Sequence, residues 1–153
     1  MSDTIETRLQ ALSLTLPEAA QPVANYISAA HFGSFVFISG QLPAIDGKLV
    51  ASGKVGDSVT PEEAKKAAEV CALNILAQAK ALLGDLSKIK KVAKITVFVA
   101  ADPNFTNIPT VANGASDLFV NLLGEAGKHT RSAVGVAVLP LDAPVEVEAI
   151  LEI

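Results

Sequence analysis

The chain has 153 residues and a formal net charge of -4 at pH 7, and 50% of its residues are hydrophobic although only 5% are aromatic. A chain of about 150 residues is typical of one domain, so we expect a single domain over residues 1–153 with a core of Ala, Val, Leu and Ile. The lone cysteine, Cys71, excludes an intramolecular disulfide and favours a reducing, cytoplasmic location. The sequence has no long basic run and no stretch of about 18 apolar residues, which argues against a nucleic-acid partner and a membrane span.

The first third of the chain predicts a short helix and then an antiparallel hairpin. Apolar residues recur at helical spacing within residues 4–14. Two β-prone runs, at residues 26–32 and 35–39, are separated by Gly-Ser, which is a tight-turn signal. Residues 45–48, Ile-Asp-Gly-Lys, predict a further turn.

The clearest helix signal begins at Thr60. Thr60 suits the N-cap, proline follows at the first helical position, and Glu63 completes the pattern of a capping box. Gly84 is the C-terminal stop signal. We therefore expect a helix whose apolar face carries Ala64, Ala68, Cys71, Ile75, Ala79 and Leu82, with Cys71 as a buried core thiol.

The second half of the chain predicts another helix and three strands. The helix covers about residues 107–123, and the strands, marked by alternation at period two, cover residues 90–100, 131–139 and 145–153. The first of these strands is expected to be central. The order of elements indicates an α+β fold in which two helices cover one face of a sheet.

Arg131 opens a predicted strand, and the face of the strand on which it lies otherwise carries the small residues Ala133, Gly135 and Ala137. Another backbone or sheet could approach such a face, so we expect oligomerisation there. A guanidinium can capture a carboxylate through two parallel hydrogen bonds, and small neighbours leave room for a ligand. The alternative is an ordinary strand-end arginine paired with a surface acid.

Three further polar residues have both a functional and a structural interpretation. Glu146 and Glu148 alternate with apolar residues in the last strand, where a partly buried carboxylate could be a general base and an exposed one would only be solvated. His129 could be a proton shuttle or an ordinary loop residue.

Two segments resemble those of a known family. Residues 39–43, Ser-Gly-Gln-Leu-Pro, resemble its SGQxP segment, and residues 131–149 resemble its R-x-x-V-x-V-x-x-L-P signature followed by a V/I-E-V/I-E-A strand. Residues 96–99 resemble its central strand, and Tyr26 stands at the family's usual distance before the SGQ segment. On these motifs the chain is identified as a member of the YjgF/YER057c/UK114 (Rid) family.

The resemblance implies a chorismate-mutase-like fold assembled as a homotrimer with ligand clefts between subunits. It implies hydrolysis of small 2-imino or enamine acids to 2-oxo acids and ammonia without metal or cofactor, as in 2-iminobutanoate/2-iminopropanoate deaminases. Residues 1–23 are a longer N-terminal extension than such deaminases usually have.

The resemblance also implies roles for individual residues. Arg131 grips the substrate carboxylate, the backbone at Ser39 and Gly40 helps to hold it, and Glu146 handles the attacking water. Three further positions line the cleft: Tyr26, Asn113 and Ala133, the last in place of a cysteine that is common there.

Two other functions stay open. The chain could be a trimeric protein that binds small carboxylates or keto acids without turnover, or an endoribonuclease.

One geometric expectation follows from the strand lengths. A straight run from Arg131 to residue 139 would span about 26 Å before the chain turns back. We therefore expect Arg131 and Glu146 of different subunits to share one cleft.

Overall fold

The structure, a computed structural model, describes residues 3–153; Met1 and Ser2, which belong to the predicted domain of residues 1–153, lie outside this range. No helix among the described residues is long and apolar enough to cross a membrane. The elements confirm the predicted α+β order: α1 Ile5–Ala11, β1 Ala29–Phe32, β2 Phe35–Gln41, β3 Ala44–Ile45, β4 Lys48–Leu49, α2 Pro61–Leu83, β5 Lys91–Ala100, α3 Ile108–Leu123, β6 Thr130–Val136 and β7 Val145–Glu152.

Five strands form the main sheet in the order β1-β2-β7-β5-β6. Strands β5 and β6 are parallel, and the other neighbours are antiparallel. The predicted central strand, β5, lies inside the sheet, although β7 is the middle strand. The face that carries Ile95, Val97 and Val99 is fully buried and packs with α2 and α3 in one core, as the alternation predicts. Strands β3 and β4 pair on either side of the turn predicted at residues 45–48.

Helix α2 begins and ends at the predicted signals. The Thr60 side chain accepts a hydrogen bond from the Glu63 backbone at 3.1 Å, and Gly84 ends the helix at φ 81°. The return bond from the Glu63 side chain, which would complete a capping box, is not formed among the described residues. Cys71 is fully buried, as predicted, but Leu82 is 42% exposed. Leu82 lies in the last turn of the helix and does not belong to the buried core, whereas its neighbour Leu83 packs against that core.

The N-terminal segment packs on the helical side. The predicted helix within residues 4–14 is present as α1 and contacts α3, where Arg8 Nη1 donates to the Leu122 carbonyl at 3.1 Å. The buried Gln78 of α2 then donates to the Ala20 carbonyl at 2.7 Å. The extension is therefore tied to both long helices.

The small-residue face of β6 lies on the side of the sheet that the helices cover, not on the open side. Gly135 pairs with Val99 on the helix-covered face, and a Cβ atom at Gly135 would lie 3.6 Å from Ile108 Cδ1 of α3. The expectation that the small residues lie on the open face is therefore wrong, but Gly135 is exposed on the edge strand, and oligomerisation through this region stays a prediction. The open face instead exposes apolar side chains, including Phe37 at 45% and Val134 at 43%.

Candidate functional site

Arg131 is held by two polar residues of α3. Its Nη1 donates to Asn113 Oδ1 at 2.8 Å and to Ser116 Oγ at 3.1 Å. Asn113 and Ser116 are three residues apart, so they lie on the same side of the helix. None of the ion pairs among residues 3–153 includes Arg131. The alternative of a strand-end arginine paired with a surface acid is therefore wrong.

His129 extends this group of side chains. Its Nε2 atom lies 2.9 Å from Ser116 Oγ, and its Nδ1 atom lies 2.6 Å from the Gly127 carbonyl oxygen. The ring also makes an edge-to-face contact with the buried Phe119, with centroids 6.0 Å apart. The sequence left His129 open as a proton shuttle or a loop residue, and the structure places it two hydrogen bonds from Arg131.

Glu146 lies on the open face of the sheet, in contact with a glycine. It pairs with Phe98 of β5 and is half-buried. A Cβ atom at Gly40 would lie 1.9 Å from Glu146 Oε1, so the carboxylate occupies the space that a side chain there would need. Gly40 falls within an irregularity of β2, between Ile38 and Gln41, which aims the backbone at Glu146.

The environment of Glu146 disfavours its charged form. Burial raises the pKa of the Glu146 carboxyl above its ordinary value, and the negative charge of Glu148 raises it further. Burial also raises the pKa of the Cys71 thiol well above its usual range, with a smaller contribution from Glu146. Glu146 is thus a stronger proton acceptor than an exposed glutamate, and Cys71 is a protonated core residue.

Ser39 and the segment after it are fixed by hydrogen bonds. The Ser39 backbone and hydroxyl both donate to the Ser28 carbonyl, at 2.9 and 3.2 Å. The buried Asn74 of α2 donates to the carbonyls of Leu42 and Ala44, at 3.0 and 2.9 Å. Sequence reasoning missed Asn74, although an amide on an otherwise apolar helical face was a usable signal.

Tyr26 lies before the first strand and is half exposed. It was predicted within a β-prone run that begins at residue 26, but β1 begins at residue 29. Tyr26 stands two residues before Ser28, whose carbonyl accepts hydrogen bonds from Ser39, so Tyr26 is close to Ser39 through this link.

The predicted site residues form two groups within one chain. Arg131 contacts Asn113 and shares its strand face with Ala133, whereas Glu146 contacts Gly40 beside Ser39.

The register of the sheet separates the two groups. Arg131 pairs with Ile95 on the helix-covered face and Glu146 with Phe98 on the open face. Their offset along β5 is three residues, or about 10 Å. The expected 26 Å along the sheet is therefore wrong, because β6 ends at Val136 instead of continuing to residue 139. The two side chains are separated by lying on opposite faces.

Metal ligands are not grouped in this region. Among residues 3–153, no cluster of three or more His, Cys, Asp or Glu side chains could hold a metal ion. That the chemistry needs no metal or cofactor stays a prediction.

The chain is similar to proteins of one family. The family described as "YjgF/chorismate_mutase-like, putative endoribonuclease" matches residues 6–153. Protein TCP17 of Trypanosoma cruzi is 46% identical over 99% of this chain and 96% of its own length. A 2-iminobutanoate/2-iminopropanoate deaminase of Dermatophagoides farinae is 29% identical over 92% of this chain and 94% of its own length.

Solved structures agree with this match. A crystal structure of an Agrobacterium tumefaciens protein of unknown function has a TM-score of 0.92 and 51% identity, covering 97% of this chain and 92% of that one. The structure of E. coli TdcF with bound serine has a TM-score of 0.67 and 28% identity, covering 89% of this chain and 94% of that one. The fold, the motifs at residues 39–43 and 131–149, and these matches together define a YjgF-like protein of the chorismate-mutase-like class. The chain belongs to the YjgF/Rid family, which confirms the resemblance seen in the sequence.

Proposed function

We propose that the protein hydrolyses small reactive 2-imino acids, and their enamine tautomers, to 2-oxo acids and ammonia. The observation that carries this proposal is Glu146, a half-buried carboxylate whose pKa is raised. A general base is most effective when its pKa lies near the working pH, and the shift brings Glu146 closer to that condition than an exposed glutamate. The similarity to a relative named as an imine deaminase supports the same reaction class.

The reaction divides between a binding group and a proton-transfer group. Arg131 binds the substrate carboxylate and so orients the imine. Glu146 takes a proton from water as the water oxygen bonds to the imine carbon. Glu146 passes this proton to the nitrogen, which gives a carbinolamine. It then takes the hydroxyl proton and delivers it to the nitrogen as the carbon–nitrogen bond breaks, so ammonia leaves with both protons of the water and the carbon becomes the carbonyl of the 2-oxo acid.

The proposed site is shared between subunits of a homotrimer. Arg131 and Glu146 lie on opposite faces of their own sheet, so one small substrate cannot contact both within a single chain. The open face exposes Phe32 and Phe37, whose rings pack edge to face with centroids 5.6 Å apart, and apolar patches of this kind favour association. We expect sedimentation to give a mass of about three times 15.8 kDa. A monomer at micromolar concentration contradicts the shared site.

An imine-hydrolysis assay tests the proposed activity. An amino-acid oxidase generates imines from several amino acids, and the release of 2-oxo acid is followed with and without the protein. We expect acceleration by the wild type and a loss of about 100-fold or more in Glu146→Gln, which keeps the shape of the side chain but removes the base. Glu6→Gln, an exposed change in α1, is the matched control. A wild-type protein that fails to accelerate release from any imine contradicts the proposal.

A trimer that binds small carboxylates without turnover is the second candidate. Ala133 favours it, because it replaces the cysteine that the family resemblance places in the cleft. The relative crystallised with bound serine supports binding of small molecules by this fold. In this case Arg131→Ala abolishes binding of pyruvate or serine, whereas Glu146→Gln leaves it unchanged and the wild type shows no turnover.

Endoribonuclease activity is the third candidate, and the description of the family favours it. The composition argues against it, since the chain has seven aromatic residues, no tryptophan and a net negative charge. Cleavage of RNA by a nuclease-free preparation, lost in Arg131→Ala, would establish it.

A further inference from the structure

Within the described part of the chain, the guanidinium of Arg131 is held through one of its nitrogen atoms, Nη1. Nη1 donates to Asn113 Oδ1 and to Ser116 Oγ, which uses both of its hydrogens. No hydrogen bond or ion pair within residues 3–153 engages Nε or Nη2. These two atoms form the edge that offers parallel N–H groups to both oxygens of a carboxylate. Fixing Nη1 therefore fixes the direction in which that edge points.

The directions of the hydrogen bonds follow from Arg131, which can only donate. Ser116 Oγ accepts from Arg131, so its own hydrogen is available for His129 Nε2, 2.9 Å away. The Gly127 carbonyl can only accept, and His129 Nδ1 lies 2.6 Å from it. In the neutral ring, Nδ1 therefore carries the hydrogen and Nε2 accepts. Donation runs from Arg131 through Ser116 and His129 to Gly127.

The Gly127 carbonyl, at which this series of hydrogen bonds ends, is held by packing against the core. A Cβ atom at Gly127 would lie 2.1 Å from the Phe119 carbonyl oxygen, so the backbone at Gly127 packs directly on α3. The side chain of Phe119 is fully buried and meets the His129 ring edge to face. The carbonyl that orients His129 is thus held by packing.

We propose that Ser116 and His129 are positioning residues that hold Arg131 by Nη1, so that its Nε and Nη2 edge receives the substrate carboxylate. The identity of that substrate rests on the proposed function, whereas the orientation of Arg131 is a property of the chain without ligand. The ligand must present two carboxylate oxygens side by side. Pyruvate meets this requirement, and pyruvamide, with only one acceptor oxygen at that group, does not.

The order of the Arg131 side chain tests the proposal without any ligand. Nitrogen relaxation of Arg131 Nε–H is measured in the wild type and in Ser116→Ala, Ser116→Thr and His129→Ala. We expect the order parameter to fall in both alanine variants and to recover in Ser116→Thr, which retains the hydroxyl. His31→Ala, which removes the other histidine of the chain, should leave it unchanged. An equal order parameter in all variants overturns the proposal.

Kinetics and binding then connect this orientation to function. We expect Ser116→Ala to raise KM for the imine, and Kd for pyruvate, about 3- to 10-fold while kcat changes less than about twofold, because a binding contact is disordered and the base is untouched. Unchanged KM and Kd in Ser116→Ala, or an equal rise in His31→Ala, overturns the positioning role while the proposed function stands. If the wild type neither hydrolyses imines nor binds pyruvate, the proposed function fails, and the relaxation measurement still decides whether Ser116 and His129 hold Arg131.

Discussion

Arg131 and Glu146 are fixed in the same sheet by different kinds of contact. Arg131 lies on the edge strand β6 and is held by the hydrogen bonds that it donates to Asn113 and Ser116 of α3. Glu146 lies on the middle strand β7, is half-buried against Gly40, and has a raised pKa. The difference corresponds to the proposed tasks, because a group that binds an anion needs a fixed direction, whereas a base needs an environment that favours its protonated form.

Mixing inactive subunits tests whether the two regions work together. Arg131→Ala and Glu146→Ala proteins are dissociated, mixed in equal amounts and reassembled. If, as proposed, each cleft takes Arg131 from one subunit and Glu146 from its neighbour, about a quarter of the clefts should be intact in random trimers. We expect imine hydrolysis to return to about a quarter of wild type. No recovery despite demonstrated exchange contradicts the shared cleft.

Gly40→Ala tests the packing of Glu146. The new Cβ would lie 1.9 Å from Glu146 Oε1, so the carboxylate must swing away. We expect kcat/KM to fall about 10- to 100-fold, the cost of displacing a catalytic group, while the far-ultraviolet circular dichroism stays native. Gly135→Ala is the matched control, because its Cβ would be 3.6 Å from Ile108 Cδ1, an ordinary contact. Equal activity of both variants shows that the position of Glu146 is unimportant.

Gly135→Leu tests the helix-covered face near Arg131. The Cβ atom of a leucine would already contact Ile108 Cδ1 at 3.6 Å, and if its larger side chain crowds α3 we expect a loss of about 1–3 kcal/mol in the free energy of unfolding. Urea unfolding at one protein concentration measures it, since the proposed subunit association would also contribute to stability. Unchanged stability means that α3 does not pack closely on β6.

The pH dependence of stability tests the environment of Glu146. Its pKa is higher in the folded chain than the ordinary value of 4.5, so the folded state keeps a proton that the unfolded state releases as pH rises above that value. Glu146 therefore reduces stability as pH rises. We expect Glu146→Gln to be more stable than wild type at pH 7, and this difference to shrink towards pH 4. A difference that is the same at both pH values contradicts the raised pKa.

Local signals predicted the fold better than they predicted the site. Thr60 and Gly84 mark the ends of α2 because caps depend on neighbouring backbone atoms. Alternation in β6 shows that its side chains have two faces but not which face a helix covers, so the direction of Gly135 was predicted wrongly. The contact between Arg131 and Ser116 depends on how α3 docks on the sheet, and no spacing in the sequence encodes it.

The burial of Cys71 makes the protein convenient for labelling. It is the single cysteine of the chain, and its buried, protonated thiol reacts slowly with alkylating reagents. A cysteine introduced at an exposed position would then be the one fast-reacting thiol, with no native residue removed. Two subunit preparations could carry donor and acceptor dyes, and energy transfer between them would report the rate at which subunits exchange.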